Sequence, residues 1–259
     1  MENYYSIQTE RVKQHSVFRH YTTIDTLLAI LKSKKLRLSP LSKLNDPLEE
    51  RHTALLHQNK YFVTCFSHEL RESIPMWRIY CQGARGICLE FHSLDFATDM
   101  LLFSAAEQEQ LIGWEFRHTT AIDVKYCDDL NMLVKTIDPL DDGIGVSVPA
   151  ASGYAKTRAW QYENETRIIA YIDVVKGNPS RFYDQENWPD NNNPKTYNYP
   201  KVDFIYVDIS HPLLKDVSII INPFISEAQR ETIRWVIMKL CPSISIGRIR
   251  DSELTNMIF

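Results

Sequence analysis

The chain has 259 residues, 44% hydrophobic and 24% charged, with a net charge of -4, the composition of an ordinary globular chain long enough for one large domain. This balance supplies no overall basic field for coating a polyanion, so contact with nucleic acid has to come from a local patch. The five cysteines are never spaced C-x-x-C and the eight histidines show neither H-E-x-x-H nor paired-ligand spacing, so a disulfide framework and a bound metal are not expected.

Met1 to Arg11 does not read as a secretory leader, and no apolar run approaches the ~20 residues that span a bilayer. The cytoplasm is therefore the expected location, with no membrane partner. "S-V-F-R-H-Y-T" (Ser16 to Thr22) is rich in β-branched and aromatic residues and reads as a strand. Thr23 then opens a helix in which Ile24, Leu27, Leu28 and Leu31 recur at i, i+3, i+4 and i+7, with Asp25 in the first turn and lysines near the end. His20 thus falls at a strand–helix junction, where a capped core histidine is the plain reading.

Asn45-Asp46-Pro47 is a turn signal. Lys60 to Ser67, Gly86 to Phe91, Thr166 to Val175, Val202 to Ile209 and Val217 to Asn222 read as strands. Between the first two, Met76, Trp77 and Tyr80 stand at helical spacing, which by itself signals core packing. Ser226 and Gln229 have the spacing of a capping box, with Ile233, Val236, Ile237 and Leu240 as the buried stripe and Pro242 as the stop. A short strand over "I-S-I-G-R-I" is expected after it. The segments Tyr126 to Gly145 and Phe182 to Pro200 read as loops. Helices early and late with strands between them predict an α+β fold over residues 1–259, a single domain with a loop insertion near 182–200.

Glu163 and Glu165, in "W-Q-Y-E-N-E-T-R-I-I", are two residues apart at the mouth of an expected strand, so both side chains should leave the same face. Such a pair suits a reaction in which positive charge develops. The plain alternative is a solvated strand end with Arg167 pairing across the face. A Cys65 nucleophile has no base placed near it. The Phe182 to Pro200 segment interleaves Tyr183, Trp188, Tyr197 and Tyr199 with Arg181, Lys195 and Lys201, a combination on which single-stranded bases stack, although its acidic residues equally suit a surface insertion.

Taken in order, "R-H-Y-T-T-I-D-T-L-L", "N-D-P-L-E", "V-T-C-F-S", "P-M-W-R-I-Y", "G-I-C-L-E-F" and "W-Q-Y-E-N-E-T-R-I" resemble a family of uncharacterised bacterial domains, over about Phe18 to Ile169. That family is similar to the ADP-ribosyltransferase superfamily, and most to the toxins that ADP-ribosylate DNA. The resemblance implies a split pair of β-sheets with NAD, a co-substrate, in the cleft between them and no metal.

By position in shared motifs, His20 is expected at the NAD ribose, with Tyr21 and Thr22 beside it, and Tyr80 against the nicotinamide. Glu165 is expected at the ribose 2′-OH, stabilising the oxocarbenium ion, and Glu163 at the acceptor, although the motif leaves open which glutamate does which. Arg37, Asn45 and Arg78 are further expected contacts to NAD. The implied function is a bacterial toxin or phage-defence effector that modifies RNA or single-stranded DNA, with a neutralising antitoxin partner. The alternatives are a protein-directed transferase, an NAD glycohydrolase and a non-catalytic nucleotide-binding module; phosphate transfer from RNA to NAD would need a basic cluster not found here.

Overall fold

The structure, a computed structural model, describes residues 11–46, 61–81, 85–96, 114–128, 155–174, 203–209 and 216–258. Its strands are β1 (Phe18–Thr23), β2 (Lys35–Pro40), β3 (Tyr61–Ser67), β4 (Gly86–Phe91), β5 (Trp114–Asp123), β6 (Lys125–Cys127), β7 (Ala155–Thr157), β8 (Glu165–Val174), β9 (Ile205–Asp208), β10 (Ser218–Ile221) and β11 (Ile249–Asp251). The helices are α1 (Ile24–Ser33), α2 (Ile74–Tyr80), α3 (Glu227–Leu240) and α4 (Thr255–Ile258). Nine strands form one mixed sheet, while β6 and β7 pair in parallel as a small second one. The architecture is a mixed one, in line with an α+β fold. Among the described residues no helix is long and apolar enough to cross a membrane.

Local chemistry accounts for the helices. The Thr23 hydroxyl caps α1 by accepting from the Thr26 N–H at 3.2 Å. At the other end Lys34 adopts φ 60°, and its N–H closes on the Ile30 carbonyl at 2.7 Å. The buried side of α1 is Leu27, Ile30 and Leu31, so the stripe is turned slightly from the expected one, with Ile30 in place of Leu28. α3 begins with the expected capping box between Ser226 and Gln229. Its buried residues are Ile233 and Ile237, whereas Leu240 is 47% exposed in the last turn.

β4 is buried at every position because β1 and β10 flank it in the middle of the sheet, matching its unbroken apolar run. The expected strand over "I-S-I-G-R-I" is corrected: Ile246–Arg248 is a 3-10 turn, and β11 starts at Ile249, parallel to β10. β2, β5 and β7 were not read as strands, although Leu36 and Leu38 alternate as a half-buried strand should. Tyr126 and Cys127 belong to β6, while 129–145 and the whole Phe182 to Pro200 segment lie outside the described residues.

A fork in the sheet positions the site. One edge of β3 pairs with β8 along its length, from Tyr61↔Tyr171 to Ser67↔Glu165. The other edge is shared, meeting β1 at Arg19↔Ser67 and β2 at Ser39↔Val63 and Pro40↔Phe62. Between those contacts β1 and β2 part, α1 linking them in sequence, and a cleft opens over Thr64, Cys65 and Phe66.

Candidate functional site

Two adjoining cavities occupy the fork. One, of about 270 Å³, is lined by His20, Tyr80, Lys156, Glu163, Glu165 and Arg167 among others. The second, of about 490 Å³, runs between α1 and β2 past Thr22, Arg37 and Tyr206. His20, Tyr21, Leu44, Cys65 and Tyr80 border both.

His20 is fixed by main chain. Its Nδ1 lies 2.9 Å from the Cys65 carbonyl, which can only accept, so Nδ1 carries the proton and the neutral ring keeps a lone pair on Nε2. Burial lowers its pKa from 6.5, the Cys65 carbonyl opposes that shift, and the Arg37 charge adds to it. The neutral ring is therefore the resting form near pH 7. The unfolded chain binds this proton more readily, so stability falls as pH drops below about 6.5. Urea denaturation at pH 7.5 and 5.5 should show a smaller loss of stability in His20→Gln than in the parent. A residual slope persists, since burial also lowers His68 from 6.5.

α2 brings Tyr80 to the carboxylates. Its hydroxyl accepts from Asn45 Nδ2 at 2.7 Å and donates to Glu163 Oε1. Burial first, then the Glu163 contact, pushes the phenol well above its ordinary range, so it stays protonated. Trp77, one helical turn earlier, is fully buried; its indole N–H reaches Glu72 at 3.1 Å and its ring meets Tyr21 edge-on at 5.1 Å. Tyr21 also accepts from the Ser73 N–H at 3.2 Å. Arg78 does not join the site: residues two apart on a helix face away from one another, and its guanidinium lies over Phe224 at 3.6 Å. Arg37 lines the second cavity with its guanidinium 4.5 Å from the Phe204 ring.

The two glutamates are not successive positions of one strand, which corrects the expected geometry. Glu163 ends a 3-10 turn (Arg158–Glu163), Asn164 reverses the chain at φ 39°, and Glu165 begins β8. Their carboxylates nevertheless converge, because Lys156 Nζ stands 2.7 Å from Glu163 and 2.9 Å from Glu165. Arg167 completes the group, with Nε 2.6 Å and Nη2 3.2 Å from the two oxygens of Glu165. All four residues are 3% exposed or less, so Arg167 pairs across the face as the plain alternative supposed, but out of solvent.

This environment separates the carboxylates. Burial alone would raise Glu165, yet Arg167 and Lys156 hold it far below the usual carboxylate range. Glu163 moves the other way, raised by burial and by the Glu165 charge against the pull of Lys156. Both oxygens of Glu165 are engaged by cations, whereas Glu163 turns one oxygen to Lys156 and the other to the Tyr80 hydroxyl at the cavity wall. The Cys65 thiol is pushed well above its ordinary value by burial and then by Glu165, the opposite of what a nucleophile needs.

Lys156 is not distinguished by the sequence pattern. A buried lysine 3% exposed on a three-residue strand gives no periodic signal, and its partners are defined only in space.

A family described as Protein of unknown function (DUF2971) matches residues 76–168, a span that holds Tyr80, Lys156, Glu163, Glu165 and Arg167 but not His20. No curated protein and no solved structure matches the chain.

Proposed function

We propose that the protein is an NAD-dependent ADP-ribosyltransferase with a split-sheet cleft. One observation carries this reading: His20, Tyr80 and Glu163 line a single cavity where β1 and β2 part, and the Cys65 carbonyl takes His20 Nδ1 and so leaves Nε2 as the lone-pair nitrogen. The larger cavity beyond them offers room for the rest of a dinucleotide, with Arg37 as a cation for its phosphates.

In this reading His20 Nε2 accepts from a ribose hydroxyl and Tyr80 packs on the nicotinamide. The C1′–N bond breaks with its electron pair leaving on nicotinamide, and a nearby anion stabilises the ribosyl cation. We assign that anion to Glu163, since Glu165 already faces two cations; Glu165, Lys156 and Arg167 then fix its position. An acceptor nucleophile attacks C1′ and releases its proton to water. RNA or single-stranded DNA is the proposed acceptor, in a cytoplasmic toxin or defence effector held by an antitoxin.

Incubation of the purified protein with NAD and RNA, single-stranded DNA or cell lysate, followed by mass spectrometry, tests this. The expected products are nicotinamide and a macromolecule carrying ADP-ribose. Free ADP-ribose alone identifies a glycohydrolase instead. The cancellation of Glu165 by two cations also favours a second reading, a nucleotide-binding module without turnover; NAD left intact by both the parent and Glu163→Gln selects it.

A further inference from the structure

On β8, Thr166 alternates with Glu165 and Arg167 and so faces away from the carboxylate group. There it meets a second cluster. His15 Nε2 lies 2.9 Å from Asp123 Oδ2, and His68 Nδ1 lies 3.8 Å from Asp123 Oδ1. The Thr166 hydroxyl donates to Asp123 Oδ1 at 2.6 Å and stands 2.9 Å from His68 Nδ1. The three ligand atoms lie within 4.8 Å of one another. The side chains of His15, His68 and Asp123 are 24%, 21% and 22% exposed, a path for an ion from solvent.

We propose that His15, His68 and Asp123 form a binding site for one divalent first-row transition ion, zinc being the reference case. Two imidazole nitrogens and one carboxylate are the donor set that such ions take, with water in the fourth position. Calcium, which collects six to eight oxygens, is excluded by the two nitrogens. Thr166 is the outer partner that orients Asp123 and His68.

The rings now stack, with centroids 3.9 Å apart and planes 10° apart. An ion lies in the plane of each ring it binds, so capture turns one imidazole out of the stack. It also moves ring protons: the hydrogen bonds place them on His15 Nε2 and His68 Nδ1, the ligating atoms, and binding transfers them to the opposite nitrogens. The bound ion joins the segment before β1, the residue after β3 and the end of β5. Asp123 is followed by Val124, whose N–H bonds the Glu165 carbonyl at 2.8 Å, so the clamp also secures the start of β8. His15 and Asp123 are 108 positions apart, which is why ligand spacing gives no hint of them.

The test uses the full chain, dialysed against chelator and titrated with zinc by calorimetry and with cobalt(II) by absorption, with ring signals followed by NMR. The expected result is one equivalent bound, with shifts confined to the His15 and His68 rings among the histidines and no thiolate charge-transfer band. Asp123→Asn, which keeps shape and hydrogen-bonding capacity, loses that equivalent. Thr166→Val weakens it by about tenfold to a hundredfold. Absence of the equivalent from the parent, its retention in Asp123→Asn, or a thiolate band overturns the proposal. If Asp123→Asn fails to fold, the parent's ring shifts decide alone.

Discussion

Glu163→Gln should slow nicotinamide release by about a hundredfold or more while the protein stays folded, and Glu165→Gln should lower stability more than Glu163→Gln does. A glutamine at 163 can keep its one oxygen on Lys156 and turn its amide NH2 to the Tyr80 oxygen, and Lys156 keeps Glu165 at 2.9 Å, so the cost to folding is about 1 kcal/mol. The reaction loses its anion, a deficit on the order of a hundredfold to a thousandfold in rate. At 165 the substitution removes the charge that Arg167 and Lys156 share inside the protein, and breaking such a buried pair costs about 3–5 kcal/mol. Chromatography of nicotinamide and urea unfolding curves measure the two quantities on the same samples. A folded, inactive Glu165→Gln beside an active Glu163→Gln would return the oxocarbenium role to Glu165.

Trp77→Ala should cost about 3–5 kcal/mol, the range for removing a large buried aromatic. The residue is fully buried under β1, where it supports the Tyr21 ring, and it lies one helical turn from Tyr80. Emptying its place therefore loosens the helix that presents Tyr80, and NAD turnover should fall even where the variant is still folded. Trp77→Phe separates volume from hydrogen bonding. Glu72 keeps the Ser252 hydroxyl and the Glu253 N–H at 3.0 Å, so the phenylalanine variant should lose only about 1 kcal/mol and retain most turnover. Thermal unfolding of the three proteins, with NAD cleavage at a temperature where all are folded, gives the comparison.

What could be read from the sequence follows the range of the interactions. The start of α1, the capping box of α3 and the uniformly buried β4 depend on residues within a few positions of one another, and local propensity with periodicity finds them. His20, Tyr80 and the glutamates were found as types in an order of motifs. The backbone between the glutamates was not, because a left-handed Asn164 after a 3-10 turn breaks the period-two rule that placed both on a strand. Arg78 was misplaced for the converse reason: motif proximity to Tyr80 ignores the 100° step of a helix. Lys156, and the triad of His15, His68 and Asp123, exist only through tertiary approach, and nothing in the one-dimensional pattern distinguishes them from solvated residues.

The fork in β3 has a kinetic consequence. His20 bonds across 45 positions to Cys65 and Tyr80 across 83 to Glu163, while β4, which holds β1 in place, gains its other neighbour only from β10. Chains whose pairings are this distant fold slowly, because loop closure comes before any reward. No fragment ending before β8 contains both the histidine and the carboxylates in place. During synthesis, then, the growing chain holds no complete site, and the cleft is assembled as one late event rather than by degrees.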